Sequence, residues 1–368
     1  MSRGLALLVM ALSVGCSSSD PRPDPEPVVC DQGLELFEGA CVDPAARYEP
    51  EDRLDEDNVV SFTGEPTVLE LPPPPKAGFR MILPPVELAP GEERLYCVAW
   101  PYPEQQRDLV YAAKIYATGG LHHSNVFSPA NDPVAGPNPY PDCHPGADDA
   151  FANIGEGVPD VLFANSTQVA GGETLVFPAG MGFRVHHERD VVANVHLLNT
   201  TPEPLLAEVV YDYFTMPQDA LVEELAPFVL DNRLIDVPPM QTETTTAECG
   251  VWNGNVVSLM PHTHEFATRF AVETVTFEGD RTLIYEEEGF DLESDIAVFE
   301  EAISLEGVHD LSYSCTYENT KTEPLVYGLG EQEMCILFGY LYPPGEQFAG
   351  QQVDPDEGCA TVKVGIFQ

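Results

Sequence analysis

The chain has 368 residues, enough for two globular domains of ordinary size, and 43% of them are hydrophobic, enough to build real cores. Its 61 acidic residues against 16 basic ones give a formal net charge of −45, which argues against nucleic acid and anionic lipid head groups as partners. The acidic residues are spread along the chain and read as a solvated surface whose self-repulsion salt would screen.

The first element is an export signal over residues 1–16. Arg3 supplies the positive start, residues 4–14 form an apolar stretch too short to span a bilayer, and Gly15 and Cys16 follow. A small residue before cysteine resembles the lipobox of bacterial lipoproteins, in which the cysteine is lipidated and becomes the mature N-terminus; Ser13 stands where leucine is usual. The expectation is a protein exported and anchored at the cell envelope through lipid on Cys16, with plain secretion as the alternative. No later segment has the length and apolarity of a membrane span. Residues 17–58 are rich in Ser, Asp, Glu and Pro and read as a disordered acidic tether carrying a small loop closed by Cys30 and Cys41. The nine cysteines are an odd number. With Cys16 lipidated, eight remain for disulfides in an oxidising compartment. None is spaced as CxxC, which speaks against a zinc ribbon.

From residue 59 onward, short runs of β-branched and aromatic residues alternate with Pro, Gly and Asn. Residues 108–116, 182–185, 191–198, 207–214, 270–277 and 334–341 are predicted strands. Thirty-five prolines disfavour long helices, and residues 292–305 are the only helix-leaning run. The pattern predicts an all-β protein of two tandem, jelly-roll-like β-sandwich domains, 59–215 and 216–368, divided near Thr215-Met216-Pro217.

Five of the nine histidines fall in three apolar segments along this pattern. Gly119-Gly120-Leu121-His122-His123 places two imidazoles side by side. Adjacent residues point to opposite faces of a regular strand, so a shared ion requires a bulge or two different ring nitrogens. The glycines just upstream make such an irregularity cheap. His196 is a polar residue in an otherwise apolar strand and, taken alone, reads as a hydrogen-bonded core histidine. His262 and His264 are two apart and share a strand face, a natural pair of ligands but a weak signal by itself. Met334, between Glu333 and Cys335, reads alone as core packing. Taken together, the segments offer three histidines and then two histidines with a thioether, a donor set that favours copper. His144, His186, His187 and His309 read as loop or surface. No GxSxG, HExxH or phosphate-cradling glycine loop is present.

The order His-His, Val-His, His-x-His, Glu-Met-Cys resembles that of the copper type II, ascorbate-dependent monooxygenases. Gly182-Phe183-Arg184-Val185 and Ser314-Cys315-Thr316-Tyr317 are similar to flanking segments of that family, and the likeness covers roughly residues 59–368. The resemblance implies two coppers per chain. His122, His123 and His196 would hold the one that stores and delivers an electron. His262, His264 and Met334 would hold the one where oxygen binds and a substrate C–H bond is broken. The two would face each other across a solvent-filled cleft, with ascorbate as reductant. It also implies disulfides Cys315–Cys335, Cys249–Cys359 and Cys97–Cys143.

The departures bear on substrate. Met260, Ile336 and Phe338 replace the arginine, asparagine and tyrosine that grip a peptide carboxylate in the peptidylglycine branch of the family. A carboxylate buried there would be unpaired, so the expected substrate is a small molecule less polar than a peptide C-terminus. Asn194 replaces a glutamine beside the three-histidine site, and Ala267 replaces a glycine. Two other classes stand beside the enzyme: an extracytoplasmic copper-storing or scavenging lipoprotein, and a structural β-sandwich with inactive sites.

Overall fold

In the computed structural model the β-branched runs become strands, and no α-helix occurs among the described residues. The structure describes residues 35–37, 40–42, 69, 71–101, 109–128, 160–164, 171–185, 190–289, 296–328 and 332–363. The signal segment, most of the tether, Cys16, Cys30, Cys143, His144, His186 and His187 lie outside these residues. A hairpin of Glu35–Phe37 with Ala40–Val42 belongs to the compact unit Met1–Arg47, and every other described strand belongs to a second unit, Tyr48–Gln368.

The second unit is all-β, as read from the sequence, and is built from layered sheets. The predicted strands form close to where the pattern placed them: Leu109–Ala117, Met181–Arg184, Asp190–Leu198, Val209–Met216, Ala267–Thr276 and Ile336–Tyr342. The helix-leaning run is a correction. Ala297–Ser304 is a strand antiparallel to Asn255–His262. Its Val298 packs on one core and its neighbour Phe299 on the other, an alternation only a strand provides.

One eleven-stranded sheet runs through both halves of the chain. The halves join where Met181–Arg184 pairs in parallel with Glu223–Asn232. On the N-terminal side this sheet faces a four-stranded sheet made of Glu93–Pro101, Asp190–Leu198, Leu121–Ser128 and Asp160–Ala164. On the C-terminal side it faces another made of Thr242–Gly250, Val308–Glu318, Ala267–Thr276 and Arg281–Glu288.

Two apolar cores result, and the strands that lead to the predicted site lie between them. In Asn255–His262, Val256 and Leu259 enter the C-terminal core while Val257 and Met260 enter the N-terminal one. In Ile336–Tyr342, Leu337 and Leu341 face the first, and Ile336, Phe338 and Tyr340 face the second. Such strands are buried on both faces, so their apolar content is near-continuous. His262, two residues after Met260, therefore shares the face turned toward the N-terminal half.

Candidate metal centre

His122 and His123 open the Leu121–Ser128 strand, just after Gly120 at φ 96°, a backbone value that suits glycine. The pairing with Asp190–Leu198 then slips: His196 faces His123, but Leu197 faces Leu121. His122 is the extra residue of a β-bulge, one of the two ways in which adjacent histidines can serve one site. Both rings consequently reach His196, with centroids 4.7 Å and 4.9 Å away. His196 Nδ1 lies 3.1 Å from His123 Nε2, and its Nε2 lies 2.6 Å from a carboxylate oxygen of Glu93.

His262 ends its strand, opposite Ile336. His264 lies just beyond the strand rather than within it, because a side chain takes over from the ladder there. Glu333 accepts the backbone N–H of His264 at 2.9 Å and that of Phe266 at 2.7 Å. The His264 ring is fixed as well, with Nδ1 2.7 Å from the carbonyl of Gln332. That contact directs Nε2 away from the backbone. Met334 follows Glu333 directly and is buried with Met260, Ile336 and Phe338. Its carbonyl accepts the Tyr317 hydroxyl at 2.7 Å, and the Cys315–Cys335 disulfide ties the next residue to the same strand as Tyr317. Cys249–Cys359 is also formed. These are two of the pairs the resemblance implied; Cys143, needed for the third, is outside the described residues.

The two predicted ligand sets are in contact with each other. His123 lies 4.8 Å from His262 and 5.4 Å from His264, ring centre to ring centre, and His122 lies 5.4 Å from His264. All five histidines are buried. This differs from the expectation of a solvent-filled cleft between the sets, since the halves close on one another through the shared sheet and the N-terminal core. Two triads have ligand atoms within 4.8 Å of one another, His122/His123/His196 and His123/His262/His264, so His123 belongs to both.

The electrostatics keep the rings of His122, His123, His196 and His264 neutral. Burial, reinforced by the other histidines, lowers His122 to about 2 and His123 well below its ordinary value. His264 is lowered to about 4, again chiefly by burial. His196 is lowered by burial, which outweighs the attraction of Glu93. The Glu333 carboxyl is raised to about 8 by desolvation, against the pull of the backbone N–H groups it accepts.

A cluster of neutral imidazoles costs free energy unless its nitrogens find partners. Here the Nδ1 atoms of His122 and His123 and the Nε2 of His264 are buried without a hydrogen bond. Converging neutral imidazoles suit a borderline metal ion, and a thioether among the donors would bias the choice toward copper. His309 is on the surface, its side chain 54% exposed beside Asp310. Glu333 and Glu93 were not among the predicted site residues. The Glu-Met-Cys motif pointed to Glu333, but nothing distinguishes Glu93 from the other acidic residues.

Residues 234–358 match the family model described as copper type II ascorbate-dependent monooxygenase, C-terminal domain. That segment contains His262, His264, Glu333 and Met334. No curated protein matches the chain significantly. Among solved structures, the PBSX exported protein XepA aligns over 74% of this chain and 89% of its own, at 10% identity and a TM-score of 0.21, too loose a superposition to carry a fold inference.

Proposed function

We propose that this chain, whose residues 234–358 belong to the C-terminal domain family of the copper type II ascorbate-dependent monooxygenases, hydroxylates a substrate C–H bond using molecular oxygen and a reductant such as ascorbate. The observation that carries the reading is the buried cluster of His122, His123, His196, His262 and His264, with three ring nitrogens that have no protein partner. Two coppers are assigned, one to His122, His123 and His196 and one to His262, His264 and Met334. Copper supplies one-electron redox chemistry toward oxygen.

The chain's own residues do the rest. The bulge at His122 brings adjacent imidazoles to one place. Glu333 holds His264 in register with Met334 by binding main-chain N–H groups on one side and preceding the thioether on the other. A soft thioether favours the reduced metal. The closed packing excludes water, which strengthens local electrostatic interactions.

Met260 pairs directly with Phe338, and Ile336 with His262, so the strand faces beside the His262 site are apolar. This supports a small substrate without a carboxylate at that wall. The disulfides support an oxidising compartment, consistent with export and a lipid anchor at Cys16. The test is a screen of apolar small molecules with the copper-loaded protein, ascorbate and ¹⁸O₂. One labelled oxygen in a product is expected. Copper binding with no labelled product from any candidate would favour a storage or scavenging role.

A further inference from the structure

His196 is a fully buried ring with one nitrogen turned to another histidine and the other turned outward to a surface carboxylate. Its side chain is 0% exposed, while that of Glu93 is 43% exposed. Glu93 lies in the Glu93–Pro101 strand, paired with Leu198, two residues beyond His196 and on the same face. The neighbouring Arg94 is engaged by Glu92.

The contact decides which nitrogen of His196 carries the proton. A carboxylate only accepts, so a lone pair on Nε2 at 2.6 Å would repel it; an Nε2–H donates to it instead. In a neutral imidazole Nδ1 is then bare, and Nδ1 is the atom that faces His123 Nε2 at 3.1 Å. Two nitrogens bound at about 2.0 Å to one ion, at an angle of about 100°, are roughly 3.1 Å apart. The observed separation suits a chelating pair, and without metal it is a hydrogen bond in which His123 Nε2–H donates to the bare Nδ1, a proton that a metal ion would replace.

We infer that Glu93 is a positioning residue for the metal centre, fixing His196 as the Nε2–H tautomer so that Nδ1 is presented to a metal ion together with Nε2 of His123. This rests on the metal-centre reading above. It adds a carboxylate–histidine–metal relay in which the carboxylate orients the ring, raises its basicity as a ligand and lends negative charge to the site. The exposed position of Glu93 also gives the buried site one acidic contact with the surface.

The experiment uses the full chain with ¹⁵N-labelled histidine, as wild type, Glu93→Ala and Glu93→Gln. In the metal-free protein, long-range ¹H–¹⁵N spectra report the tautomer of each ring. The Nε2–H form of His196 is expected in wild type and in Glu93→Gln, whose amide oxygen can still accept, and a loss of that preference is expected in Glu93→Ala. After copper loading, Glu93→Ala should release copper to a competing chelator about 10–100-fold more readily than wild type, the usual cost of removing an outer partner of a metal ligand. Glu93→Gln should restore most of that affinity while raising the Cu(II)/Cu(I) potential, because the negative charge is gone. A copper-loaded wild type beside a Glu93→Ala protein of unchanged tautomer, affinity and Cu(II) EPR spectrum overturns this inference alone. A wild type that takes up no copper overturns the metal reading and this inference with it.

Discussion

His123 and His262, from opposite halves of the chain, stand ring to ring with their centres 4.8 Å apart. His123 is also the cross-strand partner of His196. It is therefore the histidine that belongs to both triads, and removing it should disturb both.

His123→Ala is expected to reduce copper occupancy at both triads, whereas His122→Ala should leave the His262/His264 side filled. Two Cu(II) ions held by triads this close should also couple, so the EPR signal of fully oxidised wild type should fall short of its copper content. Elemental analysis paired with EPR spin counting measures both effects. Equal copper loss in the two variants, with full spin intensity in wild type, would show that the sets are independent.

The metal-free protein should lose stability as pH falls below about 6.5. Each imidazole in the unfolded chain binds a proton near that pH, while burial in the fold lowers His122 to about 2 and His264 to about 4. Between those values the unfolded state holds more protons, so acid favours it by on the order of 1.4 kcal/mol per pH unit for each such histidine. The His264 share is exhausted near pH 4, its folded value. Glu333, raised to about 8, acts in the opposite sense as pH rises from its ordinary range, but it is one group against several histidines. Urea melts in chelator at pH 6.5, 5.5 and 4.5 should show a falling midpoint, and a level midpoint would mean the rings are not held neutral.

Glu333→Ala should destabilise the fold by roughly 2–5 kcal/mol, since it orphans the N–H groups of His264 and Phe266 in a buried setting. Glu333→Gln keeps one acceptor oxygen and should cost less. Denaturation midpoints measure the difference, and equal values for the two variants would mean that the hydrogen bonds do not fix the His264 segment.

Met334→Ile preserves apolar volume but removes the sulfur. Hydroxylation should fall by more than about 100-fold, beyond what loss of an outer-shell partner costs, while copper stays at His122/His123/His196. Turnover at the wild-type rate would remove Met334 from the site.

Much of this arrangement was legible in the sequence because its signals are local. The Asp190–Leu198 strand lies within one residue of the predicted run, and the bulge at His122 is one of the two arrangements that the adjacent histidines and their upstream glycines allowed. Within residues 292–305, Ala297–Ser304 misled because a strand touching two cores carries apolar residues at spacings that also suit a helix. The position of His264 beyond its strand was not legible, since it depends on a carboxylate 69 residues away. Nor was the contact between His123 and His262, because it follows from how the two halves share a sheet. Glu93 was invisible for the same reason: its role comes from strand register with His196, not from any motif.

Copper per chain measures most directly whether the buried histidines hold copper. Elemental analysis of the reconstituted protein should find two coppers in wild type, with one lost in His122→Ala and the other in His264→Ala. Wild type that binds no copper after loading, or copper that survives both substitutions, would contradict copper binding by these histidines.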